Sequence, residues 1–365
     1  MFINKSIKNI KPYKLSSHKA WQYKNDKNIL KLDWNESTQP PSPKVIDRLK
    51  FVIKNDHLNW YPNTNNIELI NKISNYNNLD CKYFQYFASS DALHEYIVRS
   101  FIDYNDKITI VGPTYDNFRA VAETNGAIIE YFNLDKTFNL NYKEFSKYID
   151  NNKPKIIYIV NPNNPSGTSH PKEELRTIIE QHQNVLFIID EAYYEFSNKT
   201  VSSLVKNNKN LIISRTFSKA FALASFRIGY VITHESNIKI LNSIRNPKNV
   251  SLFAQEAAIA ALDDVDYTFK YVNDVLEAKS FFENELNAFK WLKYINGHGN
   301  FTFLNINDNK LRKYFLDYFL KNRIFIRDYS HVKGAKNYIR ITIGTKEEMI
   351  SVLEIIKEIN NFLSK

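Results

Sequence analysis

Five short runs of Ile, Leu and Val punctuate the middle of the chain: KITIVG at 107–112, KIIYIV at 155–160, VLFIID at 185–190, NLIIS at 210–214 and IGYVI at 228–232. Each is strand length, and most are apolar at successive positions rather than at alternate ones. That is the pattern of strands covered on both faces. The segments 115–125, 171–182 and 201–207 between them carry helical spacing. Such alternation predicts an α/β fold, a mostly parallel sheet wrapped by helices.

Beyond Asn249 the pattern changes. VSLFAQEAAIAAL and the residues to about Asn287 read as helix with one break. NFTFLNI, FIRD and YIRITIG then read as short strands, with helices at 309–322 and 346–363, the pattern of a smaller α+β domain. The first 40 residues hold little structure of their own and are expected to pack against that domain. The predicted division is an N-terminal segment 1–40, a large domain 41–285 and a small domain 286–365, in keeping with a length of 365 residues.

Charge and composition narrow the function. The 49 Lys and Arg against 39 Asp and Glu give a net charge of +10. The basic residues are scattered, without a run of five or six, so a solvated basic surface is expected and no nucleic-acid face. The single cysteine, Cys81, excludes an internal disulfide framework and a cysteine metal site, and fits a reducing compartment. No stretch approaches the roughly 18 apolar residues of a membrane span, and the N-terminus lacks the apolar core of a signal peptide. The expectation is a cytoplasmic protein without membrane or nucleic-acid partners and without a metal.

In an open α/β sheet ligands sit beyond the carboxyl ends of the strands. Four of the runs end there in polar or aromatic groups: GPTYDNF, NPNNPSGT, DEAYYEF and SRTFSKAF. Upstream, SSDALHEYIVRSF (89–101) places Ser89, Ser90 and Asp91 at the start of an amphipathic helix. This is either ordinary capping or a phosphate site on free N–H groups. NPNNPSG is a rigid turn from which Asn164 projects. Asp190, closing a buried strand, needs a partner: a metal, a structural pair or a protonated ring nitrogen.

Lys219 follows the apolar strand at 210–214, with Thr216 and Ser218 before it and Arg227 eight residues on. An enclosed lysine amine with lowered pKa forms a Schiff base with a carbonyl. The hydroxyls and Arg227 suit an anion beside it. An aldehyde carrying both a phosphate and a ring nitrogen satisfies Asp190, Lys219 and Arg227 together, and pyridoxal 5′-phosphate is that molecule.

NPNNPSGT, DEAYYEF and SRTFSKAFALASFRIGY, together with LDWNES, YPNT and YIRITIGT, resemble the fold-type I, class I and II pyridoxal-phosphate aminotransferases, and within them the histidinol-phosphate aminotransferase family. The resemblance implies a large domain built on a seven-stranded-type sheet. It implies that Lys219 carries the cofactor and moves the proton, that Asp190 holds the pyridine nitrogen, and that Tyr193 and Asn164 bond the ring's 3′ oxygen. Tyr115 stacks on the ring. Ser90, Asp91, Ala92, Thr216, Ser218 and Arg227 surround the phosphate. Tyr61 reaches the phosphate of a neighbouring subunit, which implies a homodimer with shared sites. Arg340 binds the amino-acid carboxylate, while Arg327 and Tyr13 stand near the substrate's distal end. His94 and His298 carry no motif and are expected to be structural.

The sequence departs from the family at the pocket edge. The usual Gly-Ser-Asp-Glu is Ser89-Ser90-Asp91-Ala92, the usual glycine between lysine and arginine is Ser225, and Ser37-Thr38 replaces Asn-Pro after Trp34-Asn35-Glu36. An intact cofactor set with an altered edge implies a transaminase taking its amino group from glutamate and giving it to a small phosphorylated keto substrate. A decarboxylase of a phosphorylated amino acid would share every cofactor residue, and a non-enzymatic binding module would share the fold.

Overall fold

A seven-stranded sheet carries the site. The computed structural model describes residues 2–8, 10–12, 19–26 and 28–364. In chain order its strands are β1 (Leu30–Lys31), β2 (Phe84–Phe87), β3 (Lys107–Gly112), β4 (Ile128–Asn133), β5 (Ile156–Val160), β6 (Leu186–Asp190), β7 (Leu211–Thr216), β8 (Gly229–Thr233), β9 (Leu292–Ile295), β10 (Phe301–Ile306), β11 (Ile324–Phe325), β12 (Arg327–Asp328) and β13 (Tyr338–Thr342). The large sheet has the order β2-β8-β7-β6-β5-β3-β4. β8 runs antiparallel to both of its neighbours, and the other pairings are parallel.

The continuous apolar runs are explained by two cores, one on each face. Ile157, Ile159, Phe187, Ile189, Leu211 and Ile213 pack into one, while Ile156, Tyr158, Val160, Ile188 and Ile212 pack into the other. Successive side chains of a strand point to opposite faces, so a strand buried on both sides has no polar face to alternate with.

All five predicted strands form within a residue or two of their expected bounds. Two outer strands complete the sheet. β2 is short and carries Gln85, whose amide donates to Asn242 at 2.9 Å. β4 is a half-exposed edge in which Glu130 and Tyr131 interrupt the Ile pattern. The helix expected from residue 115 runs Asn117–Thr124, so Tyr115 sits in the loop before it. The segment 201–207 forms a 3-10 helix, Ser202–Lys206, not an α-helix. After Ser251 the helices Leu252–Leu262 and Val265–Leu286 are divided at Asp263–Asp264.

A four-stranded antiparallel sheet, β12-β13-β10-β9, lies beside the helices Asn309–Lys321 and Lys346–Leu363. β1 pairs in parallel with β11 (Leu30 with Ile324, Lys31 with Phe325), and the Thr342 N–H donates to the Leu32 carbonyl at 2.9 Å. The N-terminal segment thereby reaches the end of β13. Among the described residues no helix is long and apolar enough to cross a membrane, and no cluster of metal-ligating side chains occurs.

Candidate active site

Asp190 ends β6 and is 3% exposed. Its carboxylate accepts from the Tyr158 hydroxyl on neighbouring β5 at 2.8 Å and from the Ala192 N–H at 3.1 Å. His94 Nε2 lies 3.8 Å from the same carboxylate and 3.2 Å from Ser214 Oγ. Burial pushes the Asp190 carboxyl above the usual range, against the pull of His94, Tyr158 and the Ala192 N–H. A cation placed at the mouth would restore the charged form, and a protonated ring nitrogen is such a group.

The helix Ser90–Phe101 begins against the edge of β8, and the approach depends on Gly229. A Cβ there would stand 2.6 Å from the Arg215 carbonyl oxygen and 2.8 Å from the Ser90 nitrogen. Ser89 caps the helix at φ 93, ψ 166, and its Oγ accepts from the Ala92 N–H at 3.2 Å. Asp91, in the first turn, accepts from Tyr115 OH at 3.0 Å, from the Asn117 side chain at 3.1 Å and from Arg227 at 3.2 Å. Arg227 also donates to the Ala224 carbonyl at 3.0 Å and reaches Ser218 Oγ at 3.5 Å. Thr216 Oγ1 accepts from the Ser218 N–H at 3.1 Å. The structure therefore brings Ser90, Asp91, Ala92, Tyr115, Thr216, Ser218 and Arg227 around one helix N-terminus, where free N–H groups and the helix dipole favour an anion.

Lys219 stands beyond this cup. Its amine donates to the Trp34 carbonyl at 2.8 Å. Burial lowers its pKa to about 8, with Arg340 and Lys31 adding to the shift and Glu36 and Asp91 opposing it. An amine in that range is partly neutral, hence nucleophilic, near neutral pH.

On the far side, Tyr193 OH accepts from Asn35 Nδ2 at 2.9 Å and from Asn164 Nδ2 at 3.3 Å, which leaves its own proton available for donation. Burial raises the Tyr193 pKa, so the phenol stays protonated. Arg340, 4% exposed on β13, donates to Asn164 Oδ1 at 2.6 Å, to Tyr329 OH at 2.9 Å and to the Asp33 carbonyl at 2.6 Å. All three acceptors are neutral. Its Nε has no partner, and among the described residues no carboxylate lies within ion-pair distance. Arg327 on β12 is the cross-strand partner of Arg340, and both are buried. Residues directly opposite in an antiparallel pair project from the same face. A buried guanidinium with an open N–H awaits an anion.

Tyr61 stands apart. It is 78% exposed, with the Lys248 ammonium 4.4 Å above its ring, and no hydrogen bond among the described residues ties it to the cluster. Tyr13 lies outside the described residues. Nearby, the Lys11 carbonyl accepts from Arg119 of the helix following Tyr115, at 3.0 Å.

Asn35, Tyr158 and Tyr329 join the site although the sequence pattern assigns them no site role, and His94, expected to be structural, stands 3.8 Å from the Asp190 carboxylate. Tyr158 has a sequence mark, a phenol inside an otherwise aliphatic run. His94 has one too, since it precedes Ile97 and Val98 on the buried side of its helix. Asn35 adopts φ 56 and Tyr329 approaches through the β12–β13 fold, and neither is marked by local pattern.

Taken together, a buried carboxylate without a fixed cation, an amine of lowered pKa, an open helix N-terminus and an orphan arginine N–H fit pyridoxal 5′-phosphate and an anionic substrate. The family model for aminotransferase class I and II matches residues 27–356. The chain is 45% identical to a dihydroxyacetone phosphate transaminase of Campylobacter jejuni, over 98% of this chain and 97% of that protein. It is 30% identical to a histidinol-phosphate aminotransferase of Clostridium novyi, over 97% and 96% of the two. The crystal structure of histidinol-phosphate aminotransferase from Sinorhizobium meliloti in complex with pyridoxal-5′-phosphate has the same fold, with a TM-score of 0.89 at 21% identity over 99% of this chain and 98% of that one. The chain belongs to the class I and II aminotransferase family and is a pyridoxal-phosphate-dependent transaminase.

Proposed function

We propose that this transaminase moves the amino group of glutamate onto a small phosphorylated ketone of the dihydroxyacetone phosphate type. The observation that carries the proposal is the pair of buried arginines, Arg340 and Arg327, opposite one another on β13 and β12. They suit carboxylate and phosphate alike. The 45% identity with the Campylobacter jejuni transaminase supports the choice of ketone.

When bound, pyridoxal phosphate supplies the carbon that exchanges the amino group and the ring that draws electrons from it. The chain's residues supply the rest. Asp190, held by Tyr158 and the Ala192 N–H, would accept a hydrogen bond from the ring's N–H and so keep that nitrogen protonated. Ser90, Asp91, Ala92, Thr216, Ser218 and Arg227 position the phosphate end, and Tyr115 covers the ring face. Tyr193, whose hydroxyl accepts from Asn35 and Asn164, would donate its own proton in a hydrogen bond to the cofactor's ring oxygen. Lys219 would carry the cofactor, and its freed amine would take up the proton that leaves the substrate carbon and give it back. A pKa of about 8 suits both directions. Arg340, with its unpartnered Nε, would hold and orient the donor carboxylate.

The same reading includes a division into a segment 1–40, a large domain 41–285 and a small domain 286–365, supported by the pairing of β1 with β11. It includes a homodimer in which Tyr61 enters the neighbouring subunit's site, supported by the exposure of Leu58, Trp60 and Tyr61 in one short segment. The reading also makes the protein cytoplasmic, in keeping with its single Cys81.

A two-stage assay tests the proposal. Holoenzyme given glutamate alone should release stoichiometric 2-oxoglutarate. Addition of dihydroxyacetone phosphate should then regenerate the starting absorbance with formation of the amino alcohol phosphate. Release of carbon dioxide, or regeneration only by oxo acids lacking phosphate, would refute it.

A further inference from the structure

The long helix Val265–Leu286 buries a lysine that the chemistry above leaves unused. Lys279 is 4% exposed. Its ammonium donates to two backbone carbonyls of the loop 296–300, Gly297 at 2.5 Å and Gly299 at 3.1 Å, and lies 3.8 Å from Glu283. Glu283 in turn accepts from Thr302 at 2.8 Å.

That loop stands between two site-bearing segments. On one side the His298 N–H donates to the Gly167 carbonyl at 2.7 Å, and a Cβ on Gly297 would come 2.7 Å from Gly167 Cα. Gly167 closes the turn that projects Asn164, its N–H donating to the Asn163 carbonyl at 2.7 Å. On the other side Asn300 donates to the Asn35 carbonyl at 3.1 Å. Asn35 and Asn164 are the two donors onto Tyr193 OH. Both contacts to that phenol are thus backed by one loop, which the Lys279 ammonium holds at two carbonyls, alongside the Ile343 N–H on the Asn300 carbonyl and Lys199 against His298 Nε2.

We propose that Lys279 is a positioning residue of the transamination site, acting through the 296–300 loop to hold Asn35 and Asn164 on the Tyr193 hydroxyl. A buried ammonium is a poor choice for stability alone. Taking the charge out of water is costly, and a buried ion pair replaced whole by apolar groups is often as stable or more so. Burial indeed lowers the Lys279 pKa to about 8, with Glu283 opposing the shift. What the ammonium adds is several donors in one small group, able to hold two carbonyls of a turn at once.

The inference rests on the pyridoxal phosphate site, and the test separates the two. Wild-type, Lys279→Met, Asn35→Ala and the double variant are compared as purified full chains for the dissociation constant of pyridoxal phosphate and for thermal unfolding. Lys279→Met leaves Glu283 and two carbonyls without the ammonium and is expected to melt below wild type, and, at a temperature where it is fully folded, to bind the cofactor about tenfold more weakly. Asn35→Ala should lose a similar factor. The double variant should be little worse than either single one, because the two act in series. Losses that multiply, or an unchanged dissociation constant in Lys279→Met, would overturn the proposal. If Lys279→Met does not fold, Lys279→Arg serves: it keeps charge and donors and should bind as wild type, and tenfold weaker binding from a folded Arg variant would overturn it. A wild-type chain that binds no pyridoxal phosphate would instead refute the site itself.

Discussion

The Arg340 guanidinium donates to the Asn164 side-chain oxygen at 2.6 Å, joining residues 176 positions apart in the chain. The contact spans two proposed roles, since Arg340 is assigned to the substrate's anion and Asn164 reaches Tyr193, assigned to the cofactor. Replacement of Arg340 by Ala removes the fork proposed to hold the donor carboxylate. Loss of a buried charged contact of this kind lowers kcat/KM for glutamate by about 10²- to 10³-fold. Arg340→Lys is expected to recover little, because an ammonium cannot reproduce the planar fork. Steady-state kinetics on both variants check this, and glutamate turnover at the wild-type rate in Arg340→Ala would contradict it.

Lys219 gives a pH signature. Its folded pKa is lowered to about 8 from 10.5, so the folded apoprotein disfavours the ammonium form. The penalty is fully present below about pH 8 and disappears as pH rises to 10.5. Lys219→Met apoprotein is therefore expected to melt above wild type at pH 7, with the gap closing towards pH 10.5. Because only the neutral amine attacks an aldehyde, the rate of reconstitution with pyridoxal phosphate should climb with pH through about 8 and then level off. A rate that falls over that range would contradict the assignment.

Asp190→Asn keeps one acceptor oxygen for the Ala192 N–H, turns an amide NH2 towards the Tyr158 hydroxyl, which can accept, and loses the charge. The expected outcome is retained cofactor binding with kcat lowered by about 10²- to 10³-fold, the range for removal of a preorganised electrostatic group. Absorbance titration and single-turnover kinetics separate the two effects.

Much of this was legible along the chain. The continuous apolar runs marked the five central strands because a doubly covered strand has no polar face to show. Asp190, Thr216 and Ser218 follow those runs, so the strand ends exposed them in order. What escaped depends on folding back. Asn35 meets Tyr193 only because β1 pairs with β11 and the chain then turns at a positive φ. His94 meets Asp190 only because Gly229 lets its helix approach the sheet. Tyr329 meets Arg340 within one antiparallel fold of the small sheet. Edge strand β4 was hidden for the opposite reason, since exposure lets polar residues break its pattern.

Ser89 carries a conformational strain that a glycine would relieve. At φ 93, ψ 166 it occupies a region natural to glycine, at a cost of about 1–3 kcal/mol. Ser89→Gly also loses the bond to the Ala92 N–H, worth a few tenths of a kcal/mol when glycine caps instead. It gains unfolded-state freedom, of order 0.4–1 kcal/mol. The net expectation is a stabilisation of about 1 kcal/mol, read as a rise of a few degrees in Tm of the apoprotein. Gly229→Ala should act the other way, with weaker cofactor binding and a lower Tm, because its Cβ meets backbone atoms at 2.6 and 2.8 Å.

Every residue role proposed above turns on the amine of Lys219 carrying the cofactor. Reduction of the holoprotein with borohydride, followed by proteolysis and peptide mapping, tests this most directly. A single pyridoxyl-modified residue at position 219, absent from Lys219→Met, is the predicted result. Modification of another lysine, Lys279 included, or of none, would contradict it.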